Sequence, residues 1–328
     1  MDLAGRHVAV TGGAGFIGSH VVDQLVRVGA AVTAIDDLSV GARENLRSAE
    51  AHGVRIVVGD VRERALLERE LDGSSVVVHM ACDNLRASLA NPERSHDVNA
   101  TGSLRVALAS VEAGVDRLVY VSSSEAYGSA VRMPMDEEHP LLPTTVYGAA
   151  KAAGELYSQS CMRAYGLPVT VIRPFNSYGP RSHATGTSAE VIPRFTSRIL
   201  AGLPPVVFGS GAQMRDFTSV EETAEGIVAA AASDDLVGEA VNIAYGHGVS
   251  VREICDLLLE ILGSDLQPDV VEGRPGDVER HYADTTKARE VLGFEPRVGM
   301  REGLERYVEW FKANGQAEVA SAEAVRNW

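Results

Sequence analysis

Tyr147 and Lys151 stand four residues apart in Tyr147-Gly148-Ala149-Ala150-Lys151, which on a helix sets a phenol and an ammonium one turn apart on one face. A phenol titrates near ~10, too high for a base at neutral pH, and a neighbouring cation lowers that value by favouring the phenolate. Such a pair also arises on helices with no chemical task. It gains weight from Ser122-Ser123-Ser124-Glu125, which follows an apolar run that reads as a strand. In a parallel sheet the carboxyl ends of the strands line the ligand crevice, so these hydroxyls are expected in the same cavity as Tyr147. Lysine is otherwise scarce, occurring only at Lys151, Lys287 and Lys312. A GC-rich genome accounts for the preference for Arg.

A second constellation lies at the start of the chain. Thr11-Gly12-Gly13-Ala14-Gly15-Phe16-Ile17-Gly18 follows a short β-branched run and opens a helix. Gly12 and Gly15 let the backbone turn tightly and approach a pyrophosphate. Gly18 lets helix and strand pack closely, and the helix N-terminus supplies amide donors and partial positive charge. Glycines also fill ordinary turns, but strand, glycines, helix and second strand in this order predict dinucleotide binding. The second strand ends in Asp36-Asp37. A carboxylate there meets the adenosine ribose hydroxyls and repels a 2′-phosphate, which favours NAD over NADP. The alternative is a pair of loop caps, and Arg43 lies close in sequence. Asp60-Val61, after the third strand, is placed to meet the adenine or to cap the next helix.

The elements that must position these groups alternate. Short apolar strands are predicted over 7–11, 31–35, 55–58, 76–79, 118–121 and 169–172, with helices over 16–28, 63–71, 93–113 and 147–165 between most of them. Continuous apolar strands suit a parallel sheet covered on both faces. The fold class is therefore α/β, a doubly wound parallel sheet of Rossmann type with right-handed crossovers, joined to a smaller α+β substrate-binding lobe. Residues 1–174, with 217–246 returning, form the dinucleotide domain. Residues 175–216 and 247–312 form the lobe, and 313–328 a loosely attached tail. Residues 174–211 read mostly as loops apart from a helix over 192–200. A strand over 241–243 and helices over 251–262 and 301–312 follow.

Composition narrows the classes. The chain has 328 residues, 45% hydrophobic and 23% charged, enough for a real core and against disorder. A formal charge of -15 disfavours nucleic acid and anionic membranes as partners, so an anionic ligand must be held locally by Arg side chains or helix N-termini. Cys82, Cys161 and Cys255 have no metal-type spacing, so neither a metal site nor a disulfide framework is expected. The first strand begins near Arg6, which leaves no room for a signal peptide, and no apolar run reaches membrane length. A cytoplasmic protein is expected.

Taken together, the glycine motif, Ser124-Glu125-Ala126-Tyr127-Gly128, the Tyr147-x-x-x-Lys151 helix and Arg173-Pro174-Phe175-Asn176-Ser177-Tyr178-Gly179-Pro180-Arg181 resemble the extended short-chain dehydrogenase/reductases. Within them the likeness is to the NAD-dependent nucleotide-sugar epimerases, dehydratases and decarboxylases. It runs from about residue 7 to the helix near Trp310, and its motifs are specific for the superfamily but weakly specific for the reaction. The resemblance implies that Tyr147 takes a proton from a sugar hydroxyl, usually at C4. Lys151 would bind the nicotinamide ribose and lower the Tyr147 pKa, and Ser123 would hydrogen-bond the reacting oxygen. NAD would accept a hydride and return it. Met80-Ala81-Cys82 and Ser122 stand beside the cofactor, and Asn99 is either a cofactor-side or a structural polar residue. Asn176, Arg181, Arg215, Arg274 and Asp277 match positions around the nucleotide diphosphate, where the planar fork of Arg suits a phosphate. Val191-Ile192-Pro193 resembles the segment under the base, in most relatives uracil. A homodimer through the helices 93–113 and 147–165 is also implied.

The reaction branches after C4 oxidation. A 4,6-dehydratase usually pairs Asp with Glu to remove the C5 proton and protonate the leaving C6 oxygen. Here Ser124-Glu125 supplies the base without that acid, although some relatives with Ser-Glu dehydrate and UDP-glucuronate decarboxylases also carry it. The run through Ser182-His183 resembles sugar 4-epimerases. Arg86, in Asp83-Asn84-Leu85-Arg86, is placed to pair with a C6 carboxylate, which suggests UDP-glucuronate besides a UDP-hexose. Against it, uronate epimerases often have a second Arg where His183 stands. The expected function is thus an NAD-dependent nucleotide-sugar 4-epimerase. Decarboxylation or dehydration through Glu125 is the alternative. A dehydrogenase that releases NADH and a non-catalytic dinucleotide-binding regulator are rivals from other classes.

Overall fold

A computed structural model describes residues 1–184, 186, 189–273, 280–315 and 319. The chain runs β1 (His7–Thr11), α1 (Phe16–Arg27), β2 (Ala31–Asp36), α2 (Arg47–Ala51), β3 (Arg55–Val58), α3 (Arg64–Leu71) and β4 (Val76–His79). Next come α4 (Leu85–Ala90), α5 (Pro92–His96), α6 (Gly102–Ala113), β5 (Arg117–Val121), α7 (Val146–Tyr165), β6 (Val169–Pro174), β7 (Asn176–Tyr178) and α8 (Val191–Leu200). The remainder is β8 (Val206–Phe208), β9 (Met214–Ser219), α9 (Val220–Ala232), β10 (Ala240–Ile243), β11 (Gly248–Ser250), α10 (Val251–Leu262), β12 (Asp269–Val271), β13 (Arg280–His281), α11 (Thr286–Leu292) and α12 (Met300–Asn314).

Seven strands pair in the order β10-β6-β5-β4-β1-β2-β3, all parallel. Every residue of β4, β5 and β6 is buried, because both faces of the sheet are covered. Alternation divides each strand between two cores. Val8 and Val10 of β1 meet Val21, Val22 and Leu25 of α1 and Ile227 of α9 on one face. Ala9 meets the layer of Leu67 on α3, Val106 on α6 and Cys161 on α7 on the other. This is the doubly wound arrangement predicted from the strand rhythm.

Three details differ from the periodicity. The helix predicted over 93–113 is two helices joined by a wide turn at Asp97–Thr101, which lets the buried Asn99 reach across to the loop after β4. Residues 174–211, read as loops around one helix, contain the short strands β7 and β8. The lobe is assembled differently from its linear outline. β9 crosses residue 217 within a small sheet with β7, β11 and β13, while Ala288 of α11 joins the core of the large sheet. Phe195, Ile199, Leu258, Leu304, Tyr307 and Phe311, from α8, α10 and α12, form the core of the lobe.

Polar ties run through the large sheet and across to β9. Glu155 on α7 grips Arg173 on β6 through bonds of 3.0 and 2.7 Å, and both side chains are almost fully buried. Arg173 also donates to the Tyr127 hydroxyl at 2.9 Å, which in turn donates to Asn242 at 2.7 Å. Asp216 on β9 accepts the backbone N–H groups of Tyr245, Gly246 and Ala283.

Candidate functional site

A cavity of about 730 Å³ runs along the carboxyl ends of the strands. Its cofactor side is made of backbone. Gly12 has φ +71°, and a Cβ there would sit 2.6 Å from the Ala81 nitrogen. A Cβ on Gly18 would sit 2.0 Å from the Gly12 carbonyl oxygen, so helix and turn meet closer than any side chain allows. Gly15, Phe16 and Ile17 bring the start of α1 to the cavity wall. Asp36 accepts the N–H groups of Ala14 and Leu38, both at 2.9 Å, which locks its carboxylate at the end of β2. Burial pushes its pKa up against those bonds. Asp37 is exposed and lines the same rim. Asp60 is clasped by Arg62 at 2.6 Å, and that guanidinium holds its carboxyl below the usual range. Val61, Met80, Ala81 and Cys82 continue the wall. The Ser122 hydroxyl, also in the wall, is buried with no partner among the described residues. Bare glycines at a helix N-terminus, a fixed carboxylate at the next strand and an orphaned hydroxyl suit a dinucleotide.

Asn99 is not part of this wall. Its amide donates to the Asp83 carbonyl at 2.8 Å and to Ser95, and its oxygen accepts the Asp83 N–H at 2.8 Å. Of the two roles offered by the sequence, it fills the structural one, tying down the loop after β4.

The reacting end is built where α7 meets the turn after β5. Thr145 caps the helix by accepting the Gly148 N–H at 3.0 Å. A Cβ on Gly148 would lie 2.3 Å from the Glu125 carbonyl oxygen, so this residue must be small for helix and turn to touch. Tyr147, Lys151, Ser123 and Glu125 all line the cavity. Ser123 stands beside the Tyr147 phenol in this wall. Lys151 is buried, donates to the Val121 carbonyl at 2.6 Å and lies 5.0 Å from the centre of the Tyr120 ring. The Tyr120 hydroxyl occupies the space a Cβ on Gly154 would need, at 2.1 Å. Beneath, His79 bridges Thr11 and Ser103, and burial drives its pKa to about 3, so it is neutral. Burial raises the Tyr147 phenol well above its ordinary value, with Cys82 adding to the rise and Ser123 opposing it. Burial lowers the Lys151 ammonium. The lowering of the phenol anticipated from the Tyr–Lys spacing is thus outweighed by desolvation in the chain alone. Ser124 is buried in the turn behind this wall.

At the other end, Arg86, Asn176, Val191, Arg215 and Phe217 line both the main cavity and a smaller pocket of about 160 Å³, whose walls include Phe195 and Phe208. Arg181 is not in either wall. It adopts φ +68° and pairs with Asp23 on α1 at 2.7 Å, while His20 on α1 bonds the Pro180 carbonyl at 3.0 Å. This pair straps the loop after β7 to the first helix. Arg274 and Asp277 lie outside the described residues. Sequence reasoning passed over Glu190, which lines the cavity with its carboxylate 3.5 Å from His183. A charged residue immediately before Val191-Ile192-Pro193 was the available signal. Among the described residues no group of side chains could hold a metal ion, and no helix is long and apolar enough to cross a membrane.

Comparison with known proteins gives a consistent result. Residues 8–244 match the NAD dependent epimerase/dehydratase family. A UDP-glucose 4-epimerase of Mycolicibacterium smegmatis is 35% identical over 316 residues, covering 94% of this chain and 99% of the relative. The crystal structure of Thermotoga maritima UDP-glucose 4-epimerase with UDP-glucose superposes with a TM-score of 0.89 at 36% identity, covering 94% of this chain and all of that one. A dTDP-glucose 4,6-dehydratase of Streptomyces venezuelae with NAD bound superposes equally well, with a TM-score of 0.89 at 36% identity and 94% and 97% coverage.

Proposed function

The chain belongs to the NAD-dependent epimerase/dehydratase family of enzymes acting on nucleotide sugars, and we propose that it is a 4-epimerase of a UDP-hexose. The observation that carries this is the meeting of Tyr147, Ser123 and Lys151 in the cavity that also reaches the glycine turn and the Arg215 pocket. NAD, held by Gly12 to Gly18 and Asp36, supplies the hydride acceptor and a positive charge beside the phenol. Ser123 hydrogen-bonds the reacting sugar oxygen, and Tyr147 takes its proton at Oη when the carbinol becomes a ketone, then gives it back. Lys151, fixed by the Val121 carbonyl, holds the nicotinamide ribose. Arg215 and Asn176 anchor the nucleotide diphosphate while the keto sugar turns over to present its opposite face. Val191 and the Phe195 and Phe208 side of the smaller pocket take the uracil.

Dehydration and decarboxylation form the second reading, favoured by Glu125 in the wall. Dehydration is weakened because Ser124, the position of the missing acid, is buried behind the cavity. The outward Leu108 on α6 and Leu156 on α7, both exposed, support a homodimer through these helices. Incubation with UDP-glucose, UDP-N-acetylglucosamine and UDP-glucuronate, followed by product mass, tests the reading. An isobaric product is expected; loss of water or of carbon dioxide would replace it with the dehydratase or the decarboxylase.

A further inference from the structure

Among the described residues, two carboxylates, Glu125 and Glu190, stand in the cavity wall with Arg86 and Arg215. Glu190 caps the start of α8, its backbone N–H bonded to the His183 carbonyl at 2.9 Å and its own carbonyl accepting from Arg194 at 3.1 Å. Its side chain is half-buried in the cavity wall, 3.5 Å from the His183 imidazole and within electrostatic reach of Arg86. Phe16 packs edge-on against the His183 ring at 6.3 Å, so the imidazole beside Glu190 is set against the cofactor helix. Arg86 and Arg215 line both the main cavity and the smaller pocket. Glu190, with Arg86 in electrostatic reach, brings a second carboxylate besides Glu125 to the same wall. A C6 carboxylate placed there would add like charge to a half-dry wall. Glu190, standing beside Arg86, offsets the positive charge that would otherwise draw a uronate.

We propose that Glu190 is a specificity-determining residue: its carboxylate accepts a hydrogen bond from a hydroxyl of a neutral hexose and excludes a hexuronate. This rests on the cavity assigned above to the nucleotide sugar. The test uses the full chain with NAD and the Tyr147→Phe substitution, which allows binding without turnover, and titrates UDP-glucose, UDP-glucuronate and UDP by calorimetry. UDP-glucose is expected to bind at least about tenfold tighter than UDP-glucuronate. Adding Glu190→Gln should shrink that gap to within about threefold while leaving UDP within about twofold, showing that the fold and base pocket survive. Equal or tighter binding of UDP-glucuronate by the parent, or a gap that persists in Glu190→Gln, would overturn the proposal. A protein that prefers UDP-glucose yet yields no isobaric product would remove the epimerase reading and leave this one standing.

Discussion

The two sides of the cavity recognise their ligands by different means. The cofactor side is backbone: Gly12 and Gly18 have no room for a Cβ, and Asp36 is pinned by two main-chain N–H groups. The sugar side is a set of charged and polar side chains, Arg86, His183, Glu190, Arg215 and Glu125, on four different segments. A wall of backbone accepts almost no substitution, which suits a cofactor shared by a whole family. A wall of side chains can change one residue at a time.

The contrast can be broken at the line where the two sides meet. Tyr147→Phe should lower turnover about 10³-fold while sugar-nucleotide affinity stays within a few-fold, read from product formation and calorimetry. A small loss of turnover would mean that another group takes the proton. On the cofactor side, Gly18→Ala forces a Cβ into the Gly12 carbonyl and should weaken NAD binding by about tenfold or more. NAD retained on purification and NAD titration measure this, and affinity unchanged by the methyl would show that the turn yields. On the substrate side, removing the Arg181–Asp23 strap by Arg181→Ala should raise the sugar-nucleotide KM about threefold and leave NAD affinity alone. Asp23→Asn should do the same, and the double variant should add little more.

The smallest effect concerns pH. Burial pushes Asp216 up to about 7 from 3.8, so the folded chain holds a proton that the unfolded chain has released. Its contribution to stability is lost as pH rises toward 7. Burial pushes His281 down to about 4 from 6.5, so the unfolded chain binds its proton more readily and stability grows as pH rises from 4 to 6.5. These two neighbours on β9 and β13 oppose each other, each by at most about 1.4 kcal/mol per pH unit. Asp216→Asn should make Tm climb between pH 4.5 and 6.5, and His281→Asn should make it fall across about the same range. Matching slopes in both variants would contradict the opposition.

Much of the large sheet was legible because its signals are local. Apolar runs bounded by glycine mark β1, β2, β4, β5 and β6, and helical spacing marks α1 and α7. Strands as short as β7, β8 and β13 carry too few residues for a period to show. The Tyr147, Lys151, Ser123 and Glu125 set was visible from residue type and spacing, and the cavity gathers all four. The pairing of Arg181 with Asp23 was not legible, because the two lie 158 residues apart in the chain. Glu190 was overlooked because a carboxylate before a helix reads as a simple cap, and only the fold shows what it faces.

The segment after β4 borders both cavities. Met80, Ala81 and Cys82 line the main cavity, Arg86 lines it and the smaller pocket, and Asn99 clamps Asp83 between them. The span from redox carrier to phosphate tail is therefore measured out by a few peptide units held taut at their midpoint. Insert one residue between 82 and 86, and the reacting carbon drifts out of range even if every contact on either bank survives.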